Sequence, residues 1–297
     1  MRYTNHLNLP QPLVDAVLND DYSKHGAKYS ITGLLSPPQI AALLREHGDE
    51  VTEDVSDKLP ALFGKLVHKL LEEREREALP EAVVLFELDG VLIKAGTDRL
   101  VVHQQHLDDY KFVSLYKFYR PEGRSVPREY VEQMAGYRYA LAAGADYFVK
   151  SCDIVAMYRD YKKGVMLRSE EGKYPSAGAE RWHVDLWDLE ECRRFLSHRL
   201  ELHERALKGD VVECTEEERW AEPTRFAVWK QGVKKPVRVY DTWDEAELHI
   251  RVAPESERER YSIQKRVGTS RRCEGYCPVA SFCPQWKRLQ EEQSATA

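Results

Sequence analysis

Three side chains near the middle of the chain have the types and spacing to handle a metal ion and a phosphodiester. Asp98 in AGTDRLVV and Asp109 in LDDYKFVS are acids set in apolar runs, and Lys111 follows Asp109 at i+2. Side chains two apart on a strand leave the same face. Asp109 and Lys111 therefore project together, while Asp108 has the opposite phase and is placed outward or at a strand edge. Two carboxylates and an ammonium on neighbouring strands can hold a divalent cation and an attacking water beside a phosphate. Surface aspartates on an amphipathic sheet are the bland alternative.

The surrounding elements suit that task. Strands are predicted near 82–88, 91–102 and 107–114. Asp89-Gly90 between the first two is a hairpin signal, because a type I′ turn needs positive φ at both central residues. Upstream, KLPALFGKLVHKLLEERERE has apolar residues at 62, 63, 66, 67, 70 and 71, a helical period over about 60–77. Gly64, His68 and Glu72 form a second stripe on it. Downstream, Pro127 opens a helix ending at Gly144, with Gln133 and Tyr137 four apart on one face. Apolar strands over about 146–160 and a long helix over 187–207 complete the alternation of an α/β core. Residues 1–28 read as an irregular arm, Ser36 as the cap of a short helix, and the EEQSATA tail as disordered.

The order His68, Asp98, Asp109-Tyr110-Lys111, Gln133-x3-Tyr137, then a cysteine group, resembles the PD-(D/E)XK nuclease superfamily. Within it the chain is most similar to the RecB-like branch, which includes CRISPR spacer-acquisition nucleases and phage-type exonucleases. One departure is present: the family usually has Gly three residues before the first acid, where this chain has Ala95, with Gly96 next. The resemblance implies a restriction-endonuclease-like core, a central mixed β-sheet flanked by helices. It implies Asp98 and Asp109 as metal ligands, with the Tyr110 carbonyl and His68 completing the shell, and Lys111 orienting or helping to deprotonate the water. Gln133 and Tyr137 would line the DNA path and count with the catalytic set. The ion would be Mg²⁺ or Mn²⁺; an imidazole ligand is softer than Mg²⁺ prefers and suits Mn²⁺.

Cys273, Cys277 and Cys283, spaced C-x3-C-x5-C, are a second constellation. Thiols this close in a reducing compartment favour a soft metal over disulfides. In the RecB-like relatives the fourth cysteine commonly lies near the N-terminus; here none precedes Cys152, and Cys214 is the best substitute. A [4Fe–4S] cluster is the expectation, Zn²⁺ the alternative, and a metal-free group the bland reading. Such a centre would staple the C-terminal region. Cys152 and Cys192 read as buried hydrophobes.

Net charge is −6, so there is no global basic field, and a DNA-binding face would be local. Lys230, Lys234, Lys235, Arg238, Lys265, Arg266, Arg271 and Arg272 gather in the last third with Trp and Tyr between them, which suits a backbone-tracking groove or, equally, scattered surface cations. No long apolar run or signal-peptide core is present, so a cytoplasmic, intracellular protein without membrane contact is expected, phage-encoded in a bacterial host if the resemblance is followed. The expected organisation is an N-terminal arm and short helix (1–59), a nuclease core (60–208) and a C-terminal region with the cysteine group (209–297). The function implied is a metal-dependent DNA nuclease, an exonuclease in DNA-end processing, recombination or replication, with DNA and recombination or replication proteins as partners. Its rivals are a non-catalytic DNA-binding scaffold on a nuclease fold and a zinc-stabilised endonuclease.

Overall fold

A computed structural model describes residues 1–19, 23–120 and 123–295. The chain divides into two compact units, one of Met1–Ser36 with Thr52–Lys208, the other of Pro37–Val51 with the chain from Gly209 onward. Residues 37–51 therefore fold with the C-terminal part, where the sequence reading had grouped them with an N-terminal arm.

In the first unit, helices α1 (Gln11–Leu18) and α2 (Ile31–Leu35) precede a sheet whose strands are β1 (Tyr29–Ser30), β2 (Leu79–Leu88), β3 (Val91–Val101), β4 (His106–Val113), β5 (Ser151–Tyr158) and β6 (Ala179–Val184). The order is β6-β5-β4-β3-β1, with β2 also paired to β3. β4 and β5 are parallel, as are β1 and β3, and the other pairs are antiparallel. The architecture is mixed α/β, a central mixed sheet flanked by helices, as a restriction-endonuclease-like core requires. Helix α4 (Leu59–Arg74) precedes β2, α5 (Arg128–Ala145) forms the crossover joining parallel β4 to β5, and α6 (Leu189–Leu207) follows β6. Helix α3 (Pro38–His47) is part of the second unit.

Local chemistry sets these elements. Asp89 (φ 48°) and Gly90 (φ 77°) make the β2–β3 turn, both left-handed as type I′ demands. Helix α5 buries Tyr130, Gln133, Met134, Tyr137 and Leu141, a stripe at helical spacing. Near its end, Gly144 lets the helix come close to β2: a Cβ there would stand 2.7 Å from the Leu85 carbonyl oxygen. The core gathers Ile93, Leu107, Met134, Ile154 and Leu196, each at most 1% exposed. Cys152 and Cys192 are buried, as a hydrophobe's role requires.

Three local expectations are corrected. The first 28 residues are not a wholly irregular arm: Arg2–Thr4 pairs in parallel with Thr52–Asp54, and Pro12 stands in the first turn of α1, where its missing N–H costs nothing. Ser36 ends α2 and does not cap α3. The serine that caps is Ser30, whose Oγ accepts the Gly33 N–H at 3.0 Å. The tail is helical through Ala295, within Pro284–Ala295; residues 296–297 lie outside the described ones.

In the second unit β7 (Arg225–Lys230) pairs antiparallel with β8 (Arg238–Tyr240) and β9 (Tyr261–Arg266). Helix α7 (Trp243–Arg251) starts with a Thr242/Glu245 capping box. Short α8 (Arg271–Gly275) and α9 (Pro284–Ala295) carry or flank the cysteines, and Leu43 of α3 shares a small core with Val51, Val279, Cys283 and Trp286.

Candidate active site

β3 and β4 pair only from Val101–His106 to Arg99–Asp108, and past that rung they part. Asp98 fills the gap. Its Oδ2 accepts the Tyr110 N–H at 2.7 Å, replacing the ladder bond that a buried backbone donor would otherwise lack. The preceding side chain on β4, Asp109, is 1% exposed. Its Oδ1 accepts from Gln133 Nε2 at 3.2 Å, while Oδ2 touches the Lys111 ammonium as an ion pair without hydrogen-bond geometry. Lys111 Nζ sits 5.1 Å from the centre of the Tyr130 ring, a cation–π contact that fixes it further. Burial, foremost, pushes the Asp109 carboxyl above the usual carboxylate range; the charge of Asp98 adds to this, and Lys111 and His68 oppose it.

Helix α4 brings His68 to the same place. Its Nε2 lies 3.1 Å from the Tyr110 carbonyl oxygen, and its Nδ1 3.5 Å from Asp98 and 3.8 Å from Glu81. The two carboxylates, Asp98 before Glu81, push the imidazole up to about 10 against the opposing effects of burial and Lys111. Donor atoms of His68, Glu81 and Asp98 all lie within 4.8 Å of one another, a spacing that could hold a metal ion.

Glu81 was not among the residues that the sequence singled out. The β2–β3 register skips the Glu81–Asp98 position, because Glu81 is left-handed at φ 46°. A non-glycine residue in that conformation costs on the order of 1–3 kcal/mol, a strain that collects at functional sites. No spacing rule reports such a twist. Gln133 and Tyr137 also differ from their expected place on an open DNA path. They are 9% and 4% exposed, and Gln133 Nε2 donates both to Asp109 and, at 2.7 Å, to the Tyr137 hydroxyl. They orient Asp109 from inside the protein.

Asp108, expected outward, is 1% exposed. It is buried because Arg99 (2.7 Å), Arg181 (2.6 Å) and His106 (3.0 Å) saturate its carboxylate. Arg99, on β3, also binds Glu75 at the end of α4, tying that helix to the sheet.

In the second unit Cys214, Cys273, Cys277 and Cys283 line one small, mostly apolar cavity together with Arg219 and Arg272. Burial, foremost, pushes the Cys214 thiol up to about 12; Glu218 and the other three cysteines add to it. Cys214 is pinned at its backbone: its N–H donates to Gln285 Oε1, and its carbonyl accepts from Gln285 Nε2, both at 2.9 Å. Gln285 had no sequence signal. Of the basic candidates, Lys234 and Lys235 are exposed on the β7–β8 connection. Arg271 pairs with Glu222 at 3.3 Å. Arg272 donates to the Glu218 carbonyl and stacks over Trp220, so it is committed to the cysteine cavity.

No family model and no curated protein matches the chain. Among solved structures it is similar to that of SSO0001, at 13% identity and a TM-score of 0.44 over 70% of this chain and 88% of that one. It is also similar to a candidate exonuclease of Eubacterium rectale, at 13% identity and a TM-score of 0.33 over 74% of this chain and 79% of the other. Among the described residues no helix is long and apolar enough to cross a membrane.

Proposed function

We propose that the chain is a divalent-metal-dependent DNA nuclease, acting as an exonuclease in DNA-end processing, recombination or replication. The observation that carries this is the convergence of His68, Asp98, the Tyr110 carbonyl, Asp109 and Lys111 where β3 and β4 part.

The donor set fits Mg²⁺ or Mn²⁺. Carboxylate and carbonyl oxygens suit hard cations, the imidazole favours Mn²⁺, and Asp109 is a buried carboxylate whose Oδ2 meets the Lys111 ammonium. Asp98, Asp109, His68 and the Tyr110 carbonyl would hold the ion, with Glu81 beside them. When bound, such an ion neutralises phosphate charge and makes a coordinated water more acidic. Lys111 would orient an attacking water or donate to a non-bridging phosphate oxygen, offsetting negative charge as it builds. Gln133 keeps the Asp109 carboxylate in one rotamer, and the Tyr110 N–H does the same for Asp98.

The four cysteines are assigned to a [4Fe–4S] cluster that ties the start of the C-terminal region to its end.

The test is digestion of end-labelled linear and closed circular duplex by anaerobically purified protein, with Mg²⁺, Mn²⁺ or EDTA. Metal-dependent loss of linear DNA alone supports an exonuclease. Nicking of circles supports an endonuclease, and metal-independent binding without cleavage supports the scaffold.

A further inference from the structure

Arg219 presents a buried Nε–H that has no hydrogen-bond partner. Leaving a charged donor unpaired away from water costs more than leaving a neutral one so. The rest of the guanidinium is anchored, since one terminal nitrogen donates to the buried Ser270 Oγ at 2.7 Å. The side chain lines the cavity of the four cysteines.

We infer that Arg219 is a positioning residue for the cysteine centre: its Nε–H is a donor reserved for a sulfur of the bound cluster, and its charge offsets the anionic thiolates. The inference rests on the cluster reading of those cysteines. Hydrogen bonds to sulfur and local net charge are two of the levers that set an iron–sulfur potential. A donor and positive charge at this place stabilise the reduced cluster and so raise its reduction potential.

The experiment compares wild type, Arg219→Met and Ser270→Ala as anaerobically purified full chains. Iron and sulfide content and the reduction potential are measured for each. Arg219→Met should retain iron and shift the potential more negative by at least about 59 mV, a tenfold change in a one-electron equilibrium. Ser270→Ala, which keeps the Nε–H, should shift it by less than half as much. If Arg219→Met holds no iron, Arg219→Lys is read in its place, with the same expected direction, because lysine keeps the charge but lacks the planar donor. Equal potentials in wild type and the Arg219 variant, or equal shifts in the Arg219 and Ser270 variants, overturn the inference. A wild type that holds zinc or no metal overturns the cluster reading first, and the inference with it.

Discussion

The Asp98 carboxylate accepts the Tyr110 backbone N–H at 2.7 Å, across the point where two central strands stop pairing. That bond joins the two halves of the site. It orients Asp98 toward His68 and holds in place Tyr110, whose own carbonyl faces the other ring nitrogen of His68. Asp98→Ala should therefore disturb structure as well as chemistry. Asp98→Asn, which keeps an acceptor for Tyr110, should lose cleavage while retaining near-wild-type thermal stability, checked by activity and melting on the same preparation.

Gln133 holds Asp109 Oδ1 and, at 9% exposed, has little surface to offer DNA. Gln133→Leu removes the donor and leaves Asp109 free to turn. Residues that orient a ligand typically contribute 10–100-fold in metal affinity or activity. The expected result is a loss of about that size, recovered in part by raising Mn²⁺, with affinity for DNA in EDTA unchanged. A metal titration of the cleavage rate checks it.

Glu75 supplies a pH dependence. The Glu77 N–H, foremost, and then Arg99 pull its carboxyl down to about 2. A carboxyl depressed in the folded state stabilises the fold above its unfolded value of about 4.3, and that stability drains away as pH falls toward 2. Wild type should lose melting temperature between pH 4.5 and 2.5 more steeply than Glu75→Gln, and should be the more stable of the two at pH 7. Parallel curves would contradict the assignment.

Gly144 separates α5 from β2 by less than a methyl group allows. Gly144→Ala puts a Cβ against the Leu85 carbonyl, which is backbone and cannot rotate away. Overpacking of this kind costs typically 1–3 kcal/mol, so urea denaturation should show a lower midpoint even though alanine is the better helix former.

Cys214 lines the same cavity as Cys273, Cys277 and Cys283 despite lying some 60 residues before them in the chain, and is proposed as their fourth partner. Cys214→Ser should lower iron content well below wild type. Gln285→Ala, which releases both backbone hydrogen bonds of Cys214, should lower it in the same direction by a smaller amount.

What could be read in advance follows from periodicity. His68 falls on a helix stripe, Asp109 and Lys111 share a strand phase, and Asp89-Gly90 demands a tight hairpin, so their placement is written in local spacing. Glu81 is invisible to such rules, because its approach to His68 depends on one left-handed residue within a strand. The burial of Gln133 depends on where α5 lies against β4, a tertiary fact. Helix α3 was legible from Pro37-Pro38 onward, but its company was not. Its apolar face meets Val279 and Trp286, more than 200 residues away, and an amphipathic pattern does not name its partner.

The most direct test of the central claim is single-turnover cleavage of end-labelled duplex in Mn²⁺ by wild type, Asp109→Asn and Lys111→Met, each shown to be folded and to bind the duplex in EDTA. If His68, Asp98, Asp109 and Lys111 form a phosphodiesterase site, both variants bind as wild type does and cleave at least about 10²–10³-fold more slowly, the loss expected when a transition-state charge contact is removed. Cleavage by both variants at the wild-type rate would place the chemistry elsewhere and contradict the assignment.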